Sequence, residues 1–215
     1  MILSPAQLAQ PDRYKLLIGS IVPRPIALVS TISPDGHPNL APFSFFAGVG
    51  SHPMTLLFCP ANTEQGGEKD SLRNAKPVSE GGTGEFVVNI VSVAIAEQMA
   101  ACAEPLPYGE SEFDLSGFSP APCQAVKPSR VAECLISFEC KTTQVIRTNP
   151  GQPAGGNIVI GEVVRVHVRD DIINERHHID AAKLDAIGRM GGPGAYCTTR
   201  EKIEIPPGKA ALRKS

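Results

Sequence analysis

The sequence predicts a mainly β fold in one domain, a barrel or sandwich carrying a few short helices. Three observations predict it. Short β-branched runs recur along the chain, each closed by Gly, Pro or Asp-Gly punctuation. Glycine and proline number 20 each in 215 residues, above the usual combined share of about 12% yet below the range of about 25–30% that marks low complexity. Residues 1–215 show neither a linker nor an internal repeat, and all-β barrels of this length are commonly a single domain. Hydrophobic residues make up 42%, enough for a core and too many for a disordered chain.

Residues 1–20 are mixed in character, and Pro5 and Pro11 are expected to interrupt any long helix there. From Pro25 to Ile32 the run PIALVSTI is apolar and β-branched, the composition of a strand. Ser33-Pro34-Asp35-Gly36 follows as a turn, because Gly takes positive φ without strain. Residues 39–46 then complete a hairpin, with Pro42 marking an edge or a bulge. MTLLFC at 54–59 reads as a short buried strand. Residues 60–84 turn polar and glycine-rich, with a short helix around 70–76. EFVVNIVS at 85–92 is another strand, while VAIAEQMAACA at 93–103 has the spacing and alanine content of a helix. Residues 104–130, rich in Pro, Gly and Ser, read as a long loop with little regular structure.

The second half holds the clearest alternation. Cys134, Ile136, Phe138 and Cys140 alternate with Leu135, Ser137, Glu139 and Lys141, as in a half-buried strand. After a glycine-rich turn at 151–156, Val164, Val166 and Val168 face one way and Arg165, His167 and Arg169 the other. From Asp180 a short helix precedes IGRMGGPGAY and a basic, proline-containing end.

Composition also excludes function classes. The formal charge is −2 and the pI about 6.2, which gives no bulk attraction to nucleic acid or anionic lipid. No run of 18 apolar residues is present, so a membrane span is not expected. The N-terminal segment lacks a basic start and apolar core, so a cytoplasmic location is expected. The six cysteines include no CxxC pair, and the expectation is reduced thiols acting as small hydrophobes rather than a redox or zinc site. His177-His178 beside Asp180 reads as a plain surface feature, because a metal needs three or four convergent ligands. The dinucleotide GxGxxG, the phosphate-binding GxxxxGK[ST], HExxH and GxSxG are all missing.

What remains is polar chemistry set into apolar β structure: Ser30 and Thr31 at a strand end, and Asn39 and Ser44 across the turn. Lys69-Asp70-Ser71 opens a short helix after a glycine-rich loop. A lysine, a hydroxyl and helix-start amides suit a phosphate, although Asp70 or Ser71 would serve equally as a plain cap.

In order along the chain, PRPIALVST at 23–31, Asp35-Gly36, and NLAPFSFF at 39–46 closely resemble the FMN-binding segment of the flavin reductase-like family. Lys69-Asp70-Ser71, GEFVVNI at 84–90 and YGESEFD at 108–114 continue the resemblance, as do Glu133, FEC at 138–140, GEVV at 161–164 with His167, and Arg189 with Gly191-Gly192 and Tyr196. It spans roughly residues 14–197. The resemblance implies an FMN-binding split β-barrel, a homodimer with non-covalently bound flavin near the subunit interface. Ser30, Thr31, Asn39, Ala41 and Ser44 would then line the ring and ribityl chain, and Lys69 and Ser71 would serve the phosphate. Arg24, Arg189 and Tyr196 would stand near the flavin rim or the opposite subunit. Ser71 stands where the family more often has Thr, with the hydroxyl kept.

The implied activity is hydride transfer from NADH or NADPH to flavin, with a monooxygenase or another electron acceptor as a possible partner. The alternatives are an FMN-binding electron-transfer protein with no nicotinamide site of its own, and a relative that has lost its cofactor. His167 has two open readings, a hydrogen-bonded sheet histidine or a catalytic residue that orients the nicotinamide donor.

Overall fold

The computed structural model of the chain describes residues 1–212. Helix α1 (Gln10–Ser20) leads into strands β1 (Arg24–Pro25), β2 (Ala27–Ile32), β3 (Pro38–Phe43), β4 (Phe46–Ser51) and β5 (Met54–Phe58). Helix α2 (Asp70–Ala75), strand β6 (Glu85–Ile90) and helices α3 (Ala96–Ala101) and α4 (Glu112–Ser116) follow. Next come β7 (Pro120–Ala121), β8 (Arg130–Val131) and two long strands, β9 (Ile136–Arg147) and β10 (Asn157–Val168). Helix α5 (Ala181–Leu184) and strands β11 (Ile187–Arg189) and β12 (Tyr196–Thr198) complete the order.

Seven strands form one antiparallel sheet in the order β3-β2-β6-β9-β10-β5-β4. Its two outermost strands, β3 and β4, are consecutive in the chain and separated only by Ser44 and Phe45. Three peptide steps span at most about 11 Å, so the sheet has to curl until its edges nearly meet. It closes as a barrel with a gap between β3 and β4. A small sheet β1-β11-β12 and a ribbon β7-β8 sit beside it.

Two apolar layers share the strands. Ala27, Val29, Phe43, Leu56, Phe58, Phe86, Val88 and Val159 fill the barrel, with Leu72 and Ala75 of α2 closing one end. Phe58 lies at its centre, with ring centroids 5.2 Å from Phe43 and 5.1 Å from Phe86. Leu28 and Leu40 point the other way, onto Met99, Cys102 and Phe113 of the α3–α4 layer. Being covered on both faces, β2 reads as a continuous apolar run rather than an alternation. Gly161 of β10 is required by packing, because a Cβ there would lie 2.5 Å from the Phe86 ring.

The 25–46 hairpin forms as expected, with Ala27 opposite Phe43 and Ile32 opposite Pro38. Several elements differ. Pro11 starts α1 rather than interrupting it, since the first turn of a helix needs no N–H from proline. The expected helix at 93–103 is confined to Ala96–Ala101 after a tighter turn at Val93–Ile95. The expected loop 104–130 contains α4, capped by the Ser111 hydroxyl and ended by Gly117 at φ +69°, and the β7-β8 ribbon. Five residues are too few for a periodic signal.

The Cys134–Lys141 strand is not half-exposed. Ser137 and Glu139 are buried as fully as Ile136 and Cys140, because the segment 124–131 lies over that face. On β10, His167 and Arg165 do share a face, opposite Ser137 and Glu139. The covered side near His167 is nevertheless the polar one, and Val166 is exposed.

Gly161→Ala is expected to cost about 1–3 kcal/mol, the scale of forced overpacking in a filled core. Urea denaturation checks it, and adding Phe86→Leu to make room should recover part of the loss.

Candidate functional site

A cleft of about 350 Å³ runs along the outer edge of β3. Its walls are β3, the approach to α2, and the segment joining α3 to α4. An edge strand presents unpaired backbone groups, and here one is taken by a side chain. The Leu40 N–H donates to the Glu112 carboxylate at 2.8 Å. N–H directions alternate along a strand, so Pro42 also faces outward. Proline sits there without removing a ladder bond, and the edge alternative expected for Pro42 is the one that holds.

Thr31, Asn39, Ser71 and Asn74 form one buried amide–hydroxyl cluster behind the cleft. Asn39 Nδ2 donates to Ser71 Oγ at 3.0 Å and to Thr31 Oγ1 at 3.2 Å, and Asn74 Nδ2 donates to Thr31 Oγ1 at 3.1 Å. With Ser71 Oγ accepting from Asn39, its own O–H is left to donate. Asn39, Ala41, Lys69 and Ser71 line the cleft, and Thr31 braces Asn39 from behind.

Charge around Lys69 is sorted into pairs. Glu68 meets Lys76 and Arg147, each at 2.9 Å, and Asp70 meets Arg73 at 2.8 Å. Lys69 is exposed and makes no ion pair among the described residues. The Arg73 guanidinium lies 4.6 Å from the ring centroid of Tyr108, whose segment roofs the cleft.

Arg24, Ser44, Arg189 and Tyr196 assemble separately. Arg24 is 3% exposed and donates to Ser44 Oγ (3.1 Å) and to the carbonyls of Ile18 (2.6 Å), Ile21 (2.8 Å) and Met190 (3.1 Å). Arg189 is its partner across β1-β11 and lies 4.7 Å from the Tyr196 ring centroid. Ser44 follows Phe43, the last cleft residue of β3, so this group stands beyond that end of the strand.

Two expected site residues lie in neither group. Ser30 is fully buried, its hydroxyl donating to the Ser129 carbonyl at 2.5 Å. His167 Nε2 meets Glu139 Oε1 at 2.5 Å, away from the cleft lining. Glu139 also accepts the N–H groups of Gln124 (2.8 Å), Ala125 (2.6 Å) and Val126 (3.2 Å), so the pair fastens that segment to the barrel. Burial opposes its charge, but the bonds from His167, Gln124 and Ala125 outweigh burial and hold the carboxyl below the usual range.

Glu68, Arg73, Tyr108 and Glu112 also line the cleft, and their types alone did not mark them. Burial pushes the Glu112 carboxyl above the ordinary carboxylate range. A usable signal existed, since Glu112 follows the capping Ser111 within the YGESEFD segment. The six cysteines are free thiols. Burial pushes Cys102 and Cys123 to about 11 and Cys134 to about 12, and it raises Cys140 further. Asp180 caps α5 through the Ala182 and Lys183 N–H groups, and the described residues hold no cluster of three metal-ligating side chains. No helix of the described residues is long and apolar enough to cross a membrane.

Residues 18–186 match the flavin reductase like domain. The chain belongs to that family. It is 32% identical to nitrilotriacetate monooxygenase component B from Bacillus cereus, with a TM-score of 0.87 over 95% of this chain and 98% of that one. It is 28% identical to the 2-nitrobenzoate 2-nitroreductase NbaA of Pseudomonas fluorescens, with a TM-score of 0.82 over 97% of each chain. A split barrel domain from Shewanella frigidimarina NCIMB 400, 21% identical, superposes with a TM-score of 0.79 over 97% of this chain and 100% of that one. The curled sheet with its β3–β4 gap is thus a split β-barrel, and the family implies a flavin cofactor.

Glu139 sets a pH dependence. Its carboxyl is depressed in the fold, so the stability it contributes is present above the unfolded value near 4.5 and is lost as pH falls through the folded value. Glu139→Gln is expected to cost about 1.5–3 kcal/mol near neutral pH, the scale of hydrogen bonds to a charged group. The same variant should flatten the loss of stability below pH 5, as urea midpoints across pH 3–7 would show.

Proposed function

We propose that the chain binds FMN non-covalently in the cleft along β3 and accepts a hydride onto it from NADH or NADPH. The observation that carries this reading is Lys69, a cation without an ion pair among the described residues, beside the free donor of Ser71 at one end of the cleft. A phosphate-terminated ligand matches that end, and Ala41, Pro42, Phe43 and Leu106 offer apolar surface to the rest of it. The donor set therefore fits FMN. From Asn39 on β3 to Ser44 just beyond it the extended chain spans about 17 Å, at roughly 3.3 Å per residue, long enough for an extended ligand.

Bound FMN supplies a ring that takes up and passes on electrons, and the chain's task is to bind and orient it. Lys69 and Ser71 hold the phosphate, Asn39 and Ala41 contact the ribityl chain, and Thr31 keeps Asn39 in place. Arg24, Ser44, Arg189 and Tyr196 stand toward the ring end. A protein that positions a redox cofactor needs no acid–base dyad of its own.

The likeness to a monooxygenase component B supports a monooxygenase as electron acceptor. Apolar side chains left uncovered support a homodimer. Helix α1 buries none of its residues, and Tyr14, Leu17 and Ile21 are exposed, as is Val49 on β4. An 11-residue helix gains most of its stability from packing, and a second copy supplies that packing. Sedimentation at micromolar concentration should give twice the monomer mass.

One observation favours the second reading, an electron-transfer protein with no nicotinamide site. His167, open to reading as a hydrogen-bonded sheet histidine or as a residue orienting the donor, is engaged with Glu139. Titration of the yellow protein with NADH and NADPH under nitrogen decides between the two. Bleaching within the mixing time supports the reductase, persistent colour supports electron transfer alone, and protein that binds no flavin overturns both.

Lys69→Ala is expected to weaken FMN binding by about 1–3 kcal/mol, the scale for losing a charged hydrogen bond. Riboflavin, which lacks the phosphate, should bind wild type and variant alike. Fluorescence titration with both ligands measures it.

A further inference from the structure

The approach to α2 closes one turn of its own, Thr63 to Gly67, and is otherwise held from outside. From Pro60 to Lys69 it lies on the turn that joins β9 to β10, and both of its ends are fixed there. At the near end the Asn62 N–H donates to the Gly155 carbonyl at 2.8 Å, and Asn62 Nδ2 donates to the carbonyls of Gln152 (2.9 Å) and Asn149 (3.3 Å). The buried Asn157 returns its amide to Asn62 Oδ1 at 2.8 Å and to the Pro60 carbonyl at 2.9 Å. In the middle, a Cβ on Gly66 would meet the Gly151 carbonyl oxygen, so the two backbones touch with no room for a side chain. At the far end Arg147, the last residue of β9, reaches Glu68 with Nε at 3.0 Å and with a terminal nitrogen at 2.9 Å. The same guanidinium also meets Glu80 at 2.6 Å.

Glu68 immediately precedes Lys69 and lines the same cleft. An unpaired carboxylate at that position would oppose an incoming phosphate and compete for the Lys69 ammonium. Each Glu68 oxygen instead carries a cation, Arg147 on Oε1 and Lys76 on Oε2. Arg147 is three-quarters buried, and its two-pronged contact fixes direction as well as charge.

We propose that Arg147 is a positioning residue for the phosphate end of the cleft. By engaging Glu68 it turns that carboxylate away from Lys69 and seats the 60–69 segment on the β9–β10 turn, and so it sets a preference for a phosphorylated flavin over riboflavin. The proposal rests on the FMN reading of the cleft and adds to it a residue outside the cleft that acts through Glu68.

The test is FMN and riboflavin affinity, by flavin fluorescence quenching, for the wild type, Arg147→Gln, Arg147→Lys, and the double variant Arg147→Gln/Glu68→Gln. Arg147→Gln is expected to lose FMN affinity roughly five- to tenfold, as a carboxylate left with Lys76 alone and one oxygen free acts near a protein surface, with riboflavin affinity unchanged. Arg147→Lys should lie between it and wild type, since it keeps the charge without the fork. Removing the freed carboxylate in the double variant should restore FMN affinity to within about twofold, a rescue that a purely structural role would not give. Parallel loss of FMN and riboflavin binding, no loss at all, or no rescue by Glu68→Gln each overturns the proposal. Should Arg147→Gln fail to fold, Arg147→Lys with and without Glu68→Gln decides, because a weakened FMN preference that Glu68→Gln restores supports action through Glu68, and an unchanged or unrescued preference refutes it. Equal affinity of the wild-type chain for FMN and riboflavin would instead remove the phosphate reading of Lys69, a failure separable from that of Arg147.

Discussion

Leu40 donates its N–H across the open edge of the barrel to the Glu112 carboxylate rather than to a neighbouring strand. That bond governs what the edge of β3 can become. A free edge would recruit another strand, and a covered edge would leave no cleft. Glu112 satisfies one backbone group, Pro42 removes another, and the stretch between them stays open to a ligand without becoming a ladder. Holding a carboxylate there carries a cost. Glu112 is 7% exposed and its charge is disfavoured by burial, yet the position on α4 keeps the α3–α4 segment over the cleft.

The two apolar layers follow from the same arrangement. With β3 at the rim, β2 is covered by the barrel on one face and by α3 and α4 on the other, which is why Ala27, Leu28 and Val29 are all fully buried. The barrel layer holds α2 through Leu72 and Ala75, while the outer layer holds α3 and α4 through Met99 and Phe113. The cleft lies between helices anchored to opposite faces of the same strands. Core packing places those helices, and the segments leading into α2 and joining α3 to α4 complete the walls.

Much of this was legible in the sequence, and what was not has physical causes. The 25–46 hairpin, the strands near 54, 85, 136 and 157, and the Lys69–Ser71 segment announce themselves by β-branched runs and turn residues. Those signals come from neighbours in sequence. The burial of Glu139 depends on a segment at 124–126 that donates three N–H groups to it, and nothing around Glu139 encodes that cover. Ser30 and Thr31 are adjacent, so they point to opposite faces of β2. One therefore braces Asn39 behind the cleft while the other meets Ser129. Short helices such as α4 escape periodicity altogether, although the Ser111 cap and Gly117 stop bracket it.

Electrostatics adds a last constraint. The chain carries a net charge of −2, but the ends of β3 do not share that sign. Lys69 stands at one end with its acidic neighbours already paired. Beyond the other end, Arg24 is buried with its guanidinium on carbonyls and one hydroxyl, and Arg189 beside it contacts only carbonyls and the Tyr196 ring. Neither arginine makes an ion pair among the described residues. Carbonyl dipoles fix a guanidinium in place but leave its net charge uncancelled, and a buried charge is screened less than a surface one. The strand therefore runs between two positive ends, with apolar side chains, amides and the buried Glu112 carboxyl along it. Such a field favours a ligand that is anionic at one terminus and gains electron density toward the other. A single cationic patch would hold a phosphate; positive charge at both ends of one edge strand suits an elongated redox cofactor.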